Sequence, residues 1–327
     1  MDAGSAIMES LDHILVNGHA QEGMFLTSEP QGRCATGMIN SSSKTSIPDV
    51  VTHDLQSLNL HGGADDCRSF LLLDQNEQLT IDTGTEFCTK LGCDATSTGK
   101  VVSILGNTGE GKSHTLNHTF FNGEEVFITS NQQESCTSGV WSSFDPTLQV
   151  VVLDTEGMLG LASNENVRTR LLLKVLAVSD VVIYRTRAER LHNDLFYFLG
   201  DASKAYNKHF KQELNRMGEQ NSFSDSWSES VSSMGPSVII FHETLHTDIL
   251  DKNSGVDPEK VLRDRFGALK QDISAFSKMK YVGTRSDVAG RTNFGILREA
   301  LGKELSDSSV RSHRKISLVY QVSLHDF

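Results

Sequence analysis

The run Gly106-Asn107-Thr108-Gly109-Glu110-Gly111-Lys112-Ser113 constrains this chain more than any other stretch. It fits G-x-x-x-x-G-K-[ST] in full. Before it lies the apolar, β-branched stretch Lys100 to Leu105, and after it His114 to Phe121 can continue as a helix. Strand, glycine loop and helix in that order place the match in an α/β domain. The glycines let the backbone fold round an anion with its N–H groups turned inward, and the helix adds its partial positive end. In such a loop Lys112 reaches the β- and γ-phosphates of a nucleoside triphosphate and the Ser113 hydroxyl holds Mg²⁺. Gly106 through His114 form the cradle. The bland alternative, a glycine-rich turn that matches by accident, leaves the flanking strand and helix unexplained.

A site of this kind needs a second carboxylate at the metal and a sensor for the γ-phosphate. Asp154-Thr155-Glu156-Gly157 directly follows the apolar strand Leu148 to Leu153. In this D-x-x-G arrangement Asp154 aims at the metal through water and the Gly157 N–H faces the γ-phosphate. The structural alternative is a capping Asp and a turn Gly. Between the two motifs, Gln133 to Trp141 suits a switch segment, with Thr137 offering its hydroxyl to Mg²⁺ and its backbone to the γ-phosphate. Thr129, Ser130, Ser135 and Ser138 compete for that role.

Apolar periodicity supplies the remaining elements. Residues 1–67 are rich in Gly, Ser, Thr, Asn and His and read as a disordered N-terminal segment. Ser69 to Asp74 and Gln78 to Asp82 read as a hairpin, and Val140 to Phe144 with Leu148 to Asp154 as a second one. Val167 to Leu176 follows helical spacing, Asp180 to Tyr184 reads as a buried strand, and Leu191 to Phe210 as a long amphipathic helix. A Ser-rich stretch, 218–236, reads as a surface loop. Ser237 to Phe241 and Tyr281 to Thr284 read as strands, with helices from Asp257-Pro258 and over Phe294 to Leu305. The expected fold is α/β: a three-layer P-loop NTPase over 68–308, mostly parallel with one antiparallel hairpin strand, and a C-terminal tail at 309–327.

Net charge −12 supplies no basic surface for nucleic acid. No apolar run approaches the roughly 20 residues that span a bilayer. The acidic N-terminus does not read as a secretory or mitochondrial leader, and five scattered cysteines suit a reducing compartment, so a cytoplasmic chain is expected. Cys88 and Cys93 are half a zinc site at most, with no second pair, and ordinary thiols are the simpler reading.

Together these motifs resemble the large GTPases of the dynamin superfamily, especially guanylate-binding proteins and atlastins. They resemble still more closely the nucleotide-binding domain of the double-FYVE zinc-finger family. The stretches that carry this are Val101 to Phe121, Gln133 to Trp141, Asp154 to Gly157, Arg168 to Ala177, Tyr184 to Ser203 and Val238 to Thr247. The resemblance implies Mg²⁺-dependent ATP or GTP hydrolysis, nucleotide-dependent self-association, and peripheral attachment to endoplasmic-reticulum or autophagosome-precursor membranes. The cysteines cannot build a two-zinc FYVE finger, so no phosphoinositide site is carried over.

Three departures bear on chemistry. Gly109 stands where guanylate-binding proteins place an arginine, so slow turnover is expected unless Arg185, Arg187 or a partner substitutes; such an arginine is worth ~10³–10⁵ in rate. Met158 stands where small GTPases place a water-positioning glutamine, which leaves Glu156 as the candidate or as a structural acceptor. Lys112, Thr137 and Glu156 are then the catalytic set. The strand that should end in a guanine-reading aspartate ends in His242-Glu243-Thr244. His242 and Glu243 are the base-side candidates, and the base is open, leaning towards ATP. Two other functions stay in view: a nucleotide-dependent scaffold with little turnover, and a zinc peptidase, since His242 to His246 spells H-E-x-x-H.

Overall fold

The computed structural model describes residues 68–129, 137–155, 165–211, 235–250, 255–286, 291–307 and 310–324. Its strands are β1 (Phe70–Leu73), β2 (Thr98–Leu105), β3 (Val140–Asp145), β4 (Val150–Thr155), β5 (Val181–Thr186), β6 (Ser237–Thr244), β7 (Lys278–Arg285) and β8 (Arg314–Lys315). Its helices are α1 (Gly84–Lys90), α2 (Lys112–Phe120), α3 (Glu165–Val178), α4 (Asn193–Ala205), α5 (Pro258–Ala268), α6 (Gly295–Ser306) and α7 (Ile316–Leu324). A π-helical turn, Tyr206–Phe210, continues α4.

The sheet runs β1-β3-β4-β2-β5-β6-β7, with β8 antiparallel to the start of β2. The five strands from β4 to β7 in that order are parallel; β3 and β1 are antiparallel to their neighbours. This is the P-loop NTPase sheet, with β3–β4 as the expected antiparallel hairpin. Strands β2, β4, β5 and β6 are apolar along most of their length because both faces are covered. Alternate residues go to opposite layers. Val102, Ile104, Val152 and Ile183 pack under Leu116 and Phe120 of α2 and Leu297 and Leu301 of α6. Val101, Val151, Val182 and Ile240 pack under Leu176 of α3, Leu199 of α4 and Phe266 of α5. The chain leaves β2 towards β3 and β4 on one side and β5 on the other. The order therefore reverses at the carboxyl end of β2, where open α/β sheets form their crevice.

Two expectations change. Gln78 to Asp82 is not a strand: it makes a single bridge, Leu73 to Leu79. The Asp74 carboxylate accepts from the amides of Asn76 and Gln78, both at 2.8 Å, and the backbones pair briefly, Asp74 N to Gln78 O at 2.9 Å and Thr80 N to Leu72 O at 3.1 Å. Ile81 is buried nonetheless, which is what its apolar pattern reported. The expected tail at 309–327 also belongs in part to the domain. Arg314 Nη1 donates to both Asp180 oxygens, at 2.6 and 2.7 Å, while Asp180 also accepts from the Val101 amide. Arg311 donates to the Ala177 carbonyl, and Ile316, Val319 and Tyr320 are buried. Helix α1, which sequence periodicity did not reveal, is capped by Thr83 and packs against α7. The proposed disordered segment 1–67 and most of the Ser-rich stretch lie outside the described residues. Among the described residues no helix is long and apolar enough to cross a membrane.

Candidate functional site

The glycine loop spans from the end of β2 to the start of α2. Gly106 has φ 146°, and a Cβ there would sit 2.4 Å from the Arg185 carbonyl oxygen, so the loop crosses β5 too closely for any side chain. Gly109 and Gly111 have φ 83° and 72° with no atom within 4 Å of a Cβ; these need left-handed backbone rather than room. Gly111 caps α2 without a side-chain acceptor, so the helix presents bare amides at its start. Lys112 curls back and donates from Nζ to the Asn107 carbonyl at 3.2 Å. The result is a cup of amides with an ammonium at its rim, suited to an anion.

At the mouth three oxygens converge from three separate segments. Ser113 Oγ donates to Asp154 Oδ2 at 2.6 Å, and Thr137 Oγ1 lies 3.2 Å from Ser113 Oγ and 3.5 Å from Asp154 Oδ2. Asp154 is 1% exposed, and its second oxygen, Oδ1, has no hydrogen-bond partner. Burial pushes its pKa up to about 6, against the pull of the Ser113 hydroxyl and the Lys112 charge. A buried carboxylate with an orphan oxygen beside two hydroxyls is a hard-donor set that suits Mg²⁺. Of the competitors for Thr137, Thr129 turns its amide and hydroxyl to the Glu125 carboxylate. Ser130, Ser135, Glu156 and Gly157 lie outside the described residues.

The base-side candidates are placed differently from expectation. Glu243 is 1% exposed and is not free to receive a ligand. Its carboxylate pairs with Arg185, lies 3.5 Å from Arg187 Nε, and accepts from the hydroxyls of Ser286 and Thr292. Burial opposes its charge, but these donors win and hold its pKa below the usual carboxylate value. His242 is equally committed: Nδ1 meets the Tyr281 hydroxyl at 2.8 Å and Nε2 the Ala188 carbonyl at 2.6 Å. Both lie on strand β6, so His242 and His246 cannot share a helical face. Among the described residues no group of His, Cys, Asp or Glu could hold a metal through three such ligands. The zinc-peptidase reading therefore falls.

Sequence reasoning missed the network that braces the loop. Arg185, 2% exposed, donates to Thr115 Oγ1 of α2 at 3.1 Å and lies over the Phe241 ring at 4.8 Å. It is a buried brace and not a mobile finger. The Glu110 carboxylate accepts from the Arg187 amide, tying the loop to the end of β5; burial raises its pKa. His114, next to Ser113, is exposed, and its ring packs with those of His118 and Phe294. One signal was available: β5 and β6 are neighbours, and each carries a single charge of opposite sign in an otherwise uncharged run.

No protein-family model matches the chain. Zinc finger FYVE domain-containing protein 1 from Mus musculus is 52% identical over 254 residues, covering 77% of this chain and 32% of that protein; the Homo sapiens protein gives the same figures. Protein SEY1 homolog 1 from Paramecium tetraurelia is 36% identical over 122 residues, covering 34% of this chain and 16% of that protein. The chain thus spans about a third of the length of the first of these relatives. Among solved structures, a dimerization-deficient mutant of Toc33 from Arabidopsis thaliana aligns with TM-score 0.36 at 16% identity, over 70% of this chain and 92% of that one. A GTP-binding protein from Sulfolobus solfataricus in complex with GDP aligns with TM-score 0.33 at 14% identity, over 63% and 52%. At these scores the likeness adds nothing to the strand order already described.

Proposed function

Over 77% of its length this chain is a relative of zinc finger FYVE domain-containing protein 1, and on that footing we propose that it binds a nucleoside triphosphate with Mg²⁺ and hydrolyses it. One point in space carries the reading: the Ser113 and Thr137 hydroxyls meet Asp154 Oδ2 beside Lys112 at the rim of an amide-lined cup, and the same carboxylate keeps a second, unpartnered oxygen. The loop amides and Lys112 would hold the β- and γ-phosphates, with Ser113 and Asp154 orienting the metal's shell. Mg²⁺ bound there would neutralise charge on the β- and γ-oxygens. Thr137, on the segment between α2 and β3, would close over the γ-phosphate and relax when it leaves.

Turnover is slow in this proposal. Arg185 is locked by Glu243, and Gly109 puts no arginine inside the loop, so a transition-state arginine has to come from the half-exposed Arg187 or from a partner. The same observation favours a second reading, a nucleotide-dependent switch with little turnover, which a single-turnover phosphate-release assay separates from the first. The central test is Lys112→Ala. Titration with a fluorescent triphosphate should show most affinity lost while circular dichroism is unchanged. Unaltered affinity would refute the assignment of the cup.

A further inference from the structure

Beside the cup lies a shelf of rings, and His114 belongs to it: counted with the cradle from the sequence, it gives the cup only its backbone at the start of α2, while its exposed side chain packs with His118 and Phe294. His114 follows Ser113 in the first turn of α2, His118 lies one turn further, and both are exposed. Their ring centroids are 4.3 Å apart. Phe294, immediately before α6, stacks on His118 at 5.0 Å with the planes 15° apart and meets His114 edge-on at 5.5 Å. Phe241 of β6 steadies Phe294 from 6.2 Å. The loop that carries Phe294 also carries Thr292, whose hydroxyl is tied to Glu243 at 2.6 Å. Shelf, carboxylate node and phosphate loop are therefore contiguous.

The node itself cannot read a guanine edge. Both Glu243 oxygens are occupied by Arg185, Arg187, Ser286 and Thr292, and Asp248, the next carboxylate along, is turned to Arg285 at 3.4 Å. On this side the exposed ring that directly follows the phosphate loop is His114, packed against His118 and Phe294. We propose that the His114 imidazole, backed by His118 and Phe294, carries the nucleobase by stacking, so that the chain selects a purine by its face and separates adenine from guanine weakly. Stacking tolerates any base because each has a π-face, and it favours purines because theirs is larger.

The inference rests on the phosphate-cup reading, and the test keeps the two apart. Equilibrium binding of ATP, GTP, CTP and inorganic tripolyphosphate, each with Mg²⁺, would be measured on the full chain and on His114→Ala, His114→Phe and His118→Ala. ATP and GTP should bind within about tenfold of each other, both more tightly than CTP. His114→Ala should weaken both purines by roughly tenfold and leave tripolyphosphate unchanged, and His114→Phe should restore them. His118→Ala should give a smaller loss of the same kind. A preference of about a hundredfold or more for one purine would overturn the proposal. So would unchanged purine binding by His114→Ala, or an equal loss for tripolyphosphate. If the unaltered protein fails to bind tripolyphosphate, the cup fails instead. Because His114 is exposed, the variants should keep the parent's circular dichroism.

Discussion

Asp154→Asn should stabilise the protein while ruining its site, and the magnitude follows from burial. The carboxylate is 1% exposed with one oxygen unpartnered, and its pKa rises from 3.8 to about 6 on folding. At about 1.4 kcal/mol per unit, roughly two units correspond to about 3 kcal/mol. The sign follows from which state holds the proton. Below 3.8 both states are protonated; between 3.8 and about 6 the unfolded chain ionises while the folded one keeps its proton. Stability therefore falls across that window and is level above it. Asparagine carries no such penalty, so at pH 7.5 the variant should be more stable by about 3 kcal/mol, a rise of roughly 6–12 °C in Tm for a domain of this size. Thermal unfolding of both proteins from pH 4 to 8 measures it, and the difference between their curves removes the other titrating groups. That difference should open between pH 4 and 6, and Mg²⁺ should raise the Tm of the parent only. A flat difference, or a variant less stable at pH 7.5, would show that Asp154 is not the strained, metal-ready group argued for above.

Two further outcomes follow from the same geometry. On the proposed role of Thr137 at the γ-phosphate, Thr137→Ala should slow triphosphate hydrolysis by about tenfold or more while diphosphate affinity changes little; parallel losses in a stopped-flow comparison would count against a switch role. Glu243→Gln leaves Arg185 charged and buried without its counter-ion, which should cost about 3–5 kcal/mol in urea unfolding at pH 7. The paired state depends on an ionised Glu243 whose pKa is depressed, so the parent's advantage should be full above the model-peptide value of 4.5 and fade as acid reaches the lower folded value. A surface-like loss below about 1 kcal/mol would mean the carboxylate is not the buried node described.

Much of this protein can be read along the chain because the physical causes are local. Gly106 to Ser113 needs only its own glycines and its flanking strand and helix to form a cup. The largely apolar runs of β2, β4, β5 and β6 announce strands covered on both faces, and Asp257-Pro258 announces a helix start. The D-x-x-G aspartate is placed at the mouth by the strand that precedes it. In each case the physical cause lies within one or two turns of the residue concerned.

The tertiary structure decided whatever depends on residues far apart in sequence. Only the folded chain shows that Glu243, a natural candidate to read a base, is spent on Arg185, Ser286 and Thr292, which approach from another strand and a later loop. Only there do Arg311 and Arg314 join the end of the chain to Asp180 and the close of α3. Buried charges must find partners wherever the fold supplies them, and no local pattern encodes which partner that will be. Sequence determined that an amide-lined cup would form at the end of β2; packing determined which polar groups were left over beside it.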